Sequence, residues 1–181
     1  MVYKFRVILD AEEDVIRDIA ILESDTLEDL HNAIVNAFGF DGLEVASFYT
    51  CDDTWNQEDE IPMFDFGDVP GENKIMSDYQ LADILDTENT KIIYVYDFIN
   101  MWTFLVELAA VENTVETGMI YPNLLFSRGE IPAEAMEKHF QADFEEDDSY
   151  SEFEDDLDED DLDAFGGEDN FEDFGFEENW N

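Results

Sequence analysis

The chain opens on an alternation of apolar and polar positions. Residues 2–9, Val-Tyr-Lys-Phe-Arg-Val-Ile-Leu, are β-branched or aromatic at most places, the period-two pattern of a half-buried strand. A polar turn, Asp10 to Asp14, leads to a second run at 15–22, Val-Ile-Arg-Asp-Ile-Ala-Ile-Leu, so the opening reads as a hairpin. The period then changes. Ser24-Asp25-Thr26 supply N-cap side chains, and Glu28 and Asp29 set carboxylates against the positive end of a helix. Leu27, Leu30, Ile34, Val35 and Phe38 recur at helical spacing, and Gly39 follows as a C-cap. Val45 to Thr50 predicts a third strand. Residues 51–74 are acidic and broken by Pro62, Gly67, Pro70 and Gly71, which predicts a long, largely irregular excursion.

Residues 78–86 predict a short helix, and Ile92–Phe98 and Trp102–Val111 two more strands with a tight connection. Beyond Asn113 the pattern weakens: Tyr121 to Leu125 reads as extended, and Pro132 to Phe140 as a helix with proline in its first turn. The expected class is α+β, a single mixed or antiparallel sheet with one main helix packed on it, its order reminiscent of a β-grasp opening.

Charge divides the chain in two. Of its 50 Asp and Glu residues, 20 lie in 141–181, a segment with no Lys or Arg. Like charge at that density opposes a packed core, so a domain over 1–140 and a disordered acidic-aromatic tail over 141–181 are expected. The domain itself keeps 30 acids against all 7 bases. Binding to nucleic acid requires cations that displace counterions, and an anionic membrane surface requires the same, so direct contact with either is excluded. The partners that remain are basic: a protein, a ribonucleoprotein or nucleoprotein complex such as a ribosomal surface, polyamines or metal cations. The single cysteine, Cys51, rules out an internal disulfide, and the N-terminus runs straight into a strand pattern with no leader-like apolar stretch. With no apolar run of about 18 residues either, the expected location is the cytoplasm.

Residues 94–107, Tyr-Val-Tyr-Asp-Phe-Ile-Asn-Met-Trp-Thr-Phe-Leu-Val-Glu, resemble a signature of the plasmid open-reading-frame-three-like family, whose members are often labelled transposon passenger proteins. The family pattern is roughly Tyr-x-Tyr-Asp-Phe-Gly-Asp-x-Trp-x-His-x-Ile-x-Glu, and Tyr94, Tyr96, Asp97, Phe98, Trp102 and Glu107 are assigned to it here. The helix is similar to the family's as well, through Leu27, Leu30, His31, Ile34, Phe38 and Gly39. Leu81-Ala82-Asp83-Ile84-Leu85 and the prolines Pro122 and Pro132 complete a likeness over about residues 2–135. It implies a small α+β fold and, by family label alone, an accessory role in transposition or recombination. The family's Gly-Asp is Ile99-Asn100 here, its His is Phe104, and its Cys-Pro-Pro-Glu-Asp close is Ile131-Pro132-Ala133-Glu134.

None of the remaining chemistry-bearing residues forms a catalytic set. Asp97, beside Tyr94, Tyr96 and Trp102, reads as a turn cap before a general base, since a catalytic carboxylate needs a partner. His31 falls near the helix's buried face, and the other histidine is the distant His139, so no histidine metal cluster is encoded. Asp52 and Asp53 blunt Cys51 by raising its pKa. Asp161, Asp163, Gly166, Asp169 and Glu172 match EF-hand spacing, but Phe165 and Glu168 stand where an oxygen ligand and an apolar residue belong. No cofactor or metal is implied.

The tail's aromatic rhythm carries more. Phe144, Tyr150, Phe153, Leu157, Leu162, Phe165, Phe171, Phe174, Phe176 and Trp180 are spaced among carboxylates, a composition suited to docking rings into a partner's groove while acids meet Lys and Arg. The expected function is therefore a non-enzymatic acidic adaptor. Mimicry of nucleic acid by the acidic body is the alternative.

Overall fold

The alternation at the N-terminus becomes a two-stranded hairpin. In the computed structural model, in which residues 1–133 are described, β1 (Val2–Leu9) pairs antiparallel with β2 (Val15–Leu22), Val2 opposite Leu22 and Leu9 opposite Val15. The chain then enters α1 (Leu27–Phe38). Thr26 Oγ1 accepts the Asp29 N–H at 3.2 Å and the Asp29 carboxylate accepts the Thr26 N–H at 2.8 Å, a reciprocal capping box. At the far end Gly39 takes φ 75°, a left-handed cap in which Phe40 N–H reaches back to the Val35 carbonyl at 3.0 Å.

Five more strands complete one sheet: β3 (Ala46–Cys51), β4 (Gln57–Pro62), β5 (Lys91–Tyr96), β6 (Trp102–Glu112) and β7 (Asn123–Arg128). Their order is β4-β3-β5-β6-β1-β2-β7, and each pairing is antiparallel. α1 lies on one face. Its buried residues Leu27, Leu30, Ile34, Val35 and Phe38 form the core with Tyr3, Phe5 and Val7 of β1, Ile19 and Ile21 of β2, Tyr94 and Tyr96 of β5 and Phe104 and Val106 of β6. Strand alternation sends Lys4, Arg6, Asp18 and Glu107 to the other face, where Arg6 holds the Asp18 carboxylate with two bonds of 2.8 and 2.9 Å.

The class is α+β with one main helix, as the pattern predicts, and this all-antiparallel order does not itself establish the β-grasp likeness. Three segments differ from their expectations. The stretch 51–74 is not simply irregular, because β4 forms within it. Gln57-Glu58-Asp59-Glu60 is an exposed edge, held by its ladder to β3 and by buried Ile61, so it never shows the apolar alternation that marks a strand. The helix expected over 78–86 is a single turn, α2 (Leu81–Ile84), preceded by a 3₁₀ turn at Met76–Asp78. It is tied to the start of α1 through Leu81 N–H to the Asp25 carbonyl and Leu27 N–H to the Tyr79 carbonyl. The extended segment at 121–125 begins later and runs further, as β7. The helix expected at Pro132–Phe140 and the whole tail lie outside the described residues, apart from Pro132 and Ala133.

Candidate functional site

The two sequence motifs meet face to face. His31 of α1 is 2% exposed, and its Nδ1 lies 2.7 Å from the hydroxyl of Tyr94, which is fully buried on β5. Burial pushes the imidazole down and the phenol well up, so both are held neutral. Phe104 packs against Phe38 at 4.8 Å between ring centroids and against Tyr94 at 5.4 Å. The position where the family pattern carries His is thus an apolar wall of this pair. Tyr96 donates to Asp41 at 2.9 Å and accepts the N–H groups of Gly42 and Glu44, pinning the loop after α1, and its burial pushes the phenol up to about 12. Phe40 bridges Tyr96 and Trp102. These signature residues build the helix–sheet contact.

Asp97 makes the β5–β6 turn. It has φ 60°, and its Oδ1 accepts Ile99 N–H at 3.0 Å and Asn100 N–H at 3.2 Å while Oδ2 accepts the Asn100 amide. Its carbonyl accepts Met101 N–H. The carboxylate is spent on the turn, as the cap reading expects. Phe98, Ile99 and Met101 project from that turn into water. Glu107 sits on the face away from α1, in register with Arg6 and Lys91. Counted from Tyr94, the family's closing Glu falls one place on, at buried Leu108, so Glu107 is not that residue.

Two further features escape linear reading because they join distant segments. Arg17 occupies an inward-facing place on β2 and is 7% exposed. Its guanidinium donates to the carbonyls of Ala37, Ile16, Arg128 and Gly129 and stacks over Phe38. It serves the carbonyl end of α1, which has no basic residue in its own last turn. Its one sequence signal is a cation at an apolar beat of the alternation. The second feature is a recess of about 500 Å³ where the β1–β2 turn meets the start of β6. Asp10, Glu12, Glu13 and Glu130 rim it, with Trp102, Val15 and Pro132 as its apolar walls. Carboxylates around an indole suit the aliphatic stem and charged tip of a Lys or Arg side chain.

Elsewhere, among the described residues, the three lysines are engaged. Lys4 bonds Glu112, Lys91 lies over Trp55 and Lys74 over Tyr79. Burial and neighbouring acids push the Cys51 thiol up. Among the described residues no group of three or more His, Cys, Asp or Glu could hold a metal ion, and no helix is long and apolar enough to cross a membrane. The ten aromatic and leucine positions of the tail and the EF-hand-like spacing at 161–172 lie outside the described residues.

A search of the curated proteins returned no match. Among solved structures, the crystal structure of a protein of unknown function from Methanosarcina mazei Go1 superposes with a TM-score of 0.62 at 24% identity, over 87% of this chain and 91% of that one. That likeness is one of fold. The model of the plasmid pRiA4b ORF-3-like proteins matches residues 1–172, further than the motifs alone reach. With the helix motif and the Tyr94–Trp102 signature packed on one another in the core, the chain belongs to the plasmid pRiA4b ORF-3-like protein family.

Proposed function

We propose that this protein is a non-enzymatic acidic adaptor, acting in the cytoplasm, that binds a basic protein or nucleoprotein partner through its acidic-aromatic tail. The observation that carries the reading is the charge distribution: 50 acids against 7 bases, with 20 of the acids interleaved with aromatics after residue 140. Support for the absence of catalysis comes from the core. His31, Tyr94 and Asp97 are spent on internal hydrogen bonds, and the second Asp and the His of the family pattern are Asn100 and Phe104 here. A tail of this kind gives fast, salt-sensitive association, with the rings adding affinity once the charges have met.

The second reading is mimicry, in which the acidic body occupies a nucleic-acid-binding cleft. The recess around Trp102 favours it, because it offers a basic side chain a place on the body. Capture from native lysate separates the two, using full-length chain, residues 1–140, and a full-length variant with the ten tail positions changed to Ser at unchanged charge. The adaptor reading expects a basic partner held by the full-length chain, released by salt, and lost from both other forms. A partner retained by 1–140 moves the site to the body. Equal capture by the Ser variant and the parent leaves the tail a solubilising appendage.

A further inference from the structure

The two edges of the sheet are finished in opposite ways. At one edge, β4 begins Gln-Glu-Asp-Glu, all four exposed, and such charge blocks strand addition. At the other, β7 reads Asn-Leu-Leu-Phe-Ser-Arg, with Leu124, Leu125 and Phe126 between 42% and 46% exposed. Among the described residues β7 pairs with β2 alone. β7 carries a bulge at Leu125, which places Leu124 opposite Ile19 on the helix face and Phe126 opposite Asp18 on the other, so this edge is apolar on both.

Charge singles out the same surface. Residues 117–129 contain no Asp or Glu, the longest such stretch in the chain, and 30–40 is the next longest. The fold brings the two together. Ala33, Asn36 and Ala37 of α1 meet Pro122 and Leu124 across a groove of about 300 Å³ whose single acid is Asp29. The described residues hold 28 acids against 6 bases, so this face is where another strongly acidic body can approach without facing like charge.

We propose that β7 is the interface between two copies of this chain, paired edge to edge and antiparallel about a twofold axis, so that two seven-stranded sheets become one. Charge and register select the occupant. A basic partner finds no carboxylate along β7, whereas a second copy, repelled elsewhere, finds here a strand with an apolar centre and no acid. In the self-pairing centred on this six-residue strand, Leu125 meets the partner's Phe126, Leu124 meets the partner's Ser127, and Asn123 meets the partner's Arg128. Each apolar side chain is covered and no like charges are opposed.

Sedimentation of the full-length chain tests this, because the salt response has a sign. Pairing across a carboxylate-free seam between strongly acidic bodies tightens as salt screens them, on the order of tenfold between about 50 and 500 mM. Capture of a basic partner weakens over the same range, so failure of either idea is read separately. Leu125→Glu with Phe126→Glu should weaken dimerisation at least about tenfold while far-UV circular dichroism is unchanged. Leu43→Glu, at an 82% exposed site off the strand, should leave it intact. Should the double variant unfold, hydrogen exchange of the unaltered chain decides: the amides of 123–128 should slow as concentration rises. A chain monomeric at every salt, a dimer that persists in the folded double variant, a dimer that salt weakens, or exchange independent of concentration would each overturn the proposal.

Discussion

The Tyr94 hydroxyl and His31 Nδ1 share one hydrogen bond in a buried site, so neither group has another partner to turn to. Tyr94→Phe should therefore cost about 1–3 kcal/mol in urea denaturation, the penalty of a buried polar group left unsatisfied, and not the few tenths of a surface change. The pH response identifies the imidazole. Burial holds its folded pKa below the free value, so between the two values the unfolded chain binds more protons and stability is lost as pH falls below about 6.5. His31→Phe lacks that component. The stability difference between parent and variant should shrink from pH 7.5 to 5.5, and a flat difference would mean that the imidazole is not held neutral. This role was legible in part: helical spacing places His31 near the buried face, but its partner is 63 residues away on another element.

At the next scale, each element has one small device that fixes its end. Thr26→Ala removes half of the capping box and should cost about 1 kcal/mol, read as a lower thermal midpoint. Gly39 and Gly129 form a sharper pair, because both have positive φ but only one is crowded. A Cβ at Gly39 meets nothing within 4 Å, so Gly39→Ala should cost about 1 kcal/mol of backbone strain. A Cβ at Gly129 would sit 2.3 Å from the Asp14 carbonyl oxygen, which is backbone and cannot rotate away. Gly129→Ala should cost roughly 3 kcal/mol and speed hydrogen exchange in β7, whose end Arg17 holds through the Arg128 and Gly129 carbonyls. Equal midpoints for the two variants would mean that β7 is not anchored there. β1, β2 and α1 could be read from sequence because each buries one face along its whole length. β4 could not, since its four acids face water and its order comes from a neighbour. α2 is shorter than its pattern because its first N–H groups, of Leu81 and Ala82, bond the Asp25 and Glu23 carbonyls, while the Tyr79 carbonyl before it is taken by Leu27 N–H.

For the whole molecule the governing quantity is charge, and here sequence went furthest on sign and least on place. The excess of acids and the aromatic tail are visible in linear order. The recess around Trp102 and the acid-poor face of α1 and β7 assemble only when segments about 90 residues apart meet. One consequence belongs to no single contact. Folding draws 28 carboxylates and 6 cations together, and few of the acids are paired, so self-repulsion works against the compact state. Raising sodium chloride from about 10 to 150 mM shortens the screening length from about 30 to 8 Å, which relieves the folded form more than the expanded one. The thermal midpoint should rise by several degrees, corresponding to about 1–3 kcal/mol. Magnesium at the same ionic strength separates diffuse screening from a built cation site. Equal shifts with the two salts would assign the effect to screening. A much larger shift with magnesium, lost on neutralising Asp161 and Asp163, would instead revive the EF-hand-like spacing as a binding loop. No rise with either salt would mean that the unfolded chain is as strongly self-repelled as the folded one, and the acidic body would then carry no stability cost for a partner to relieve.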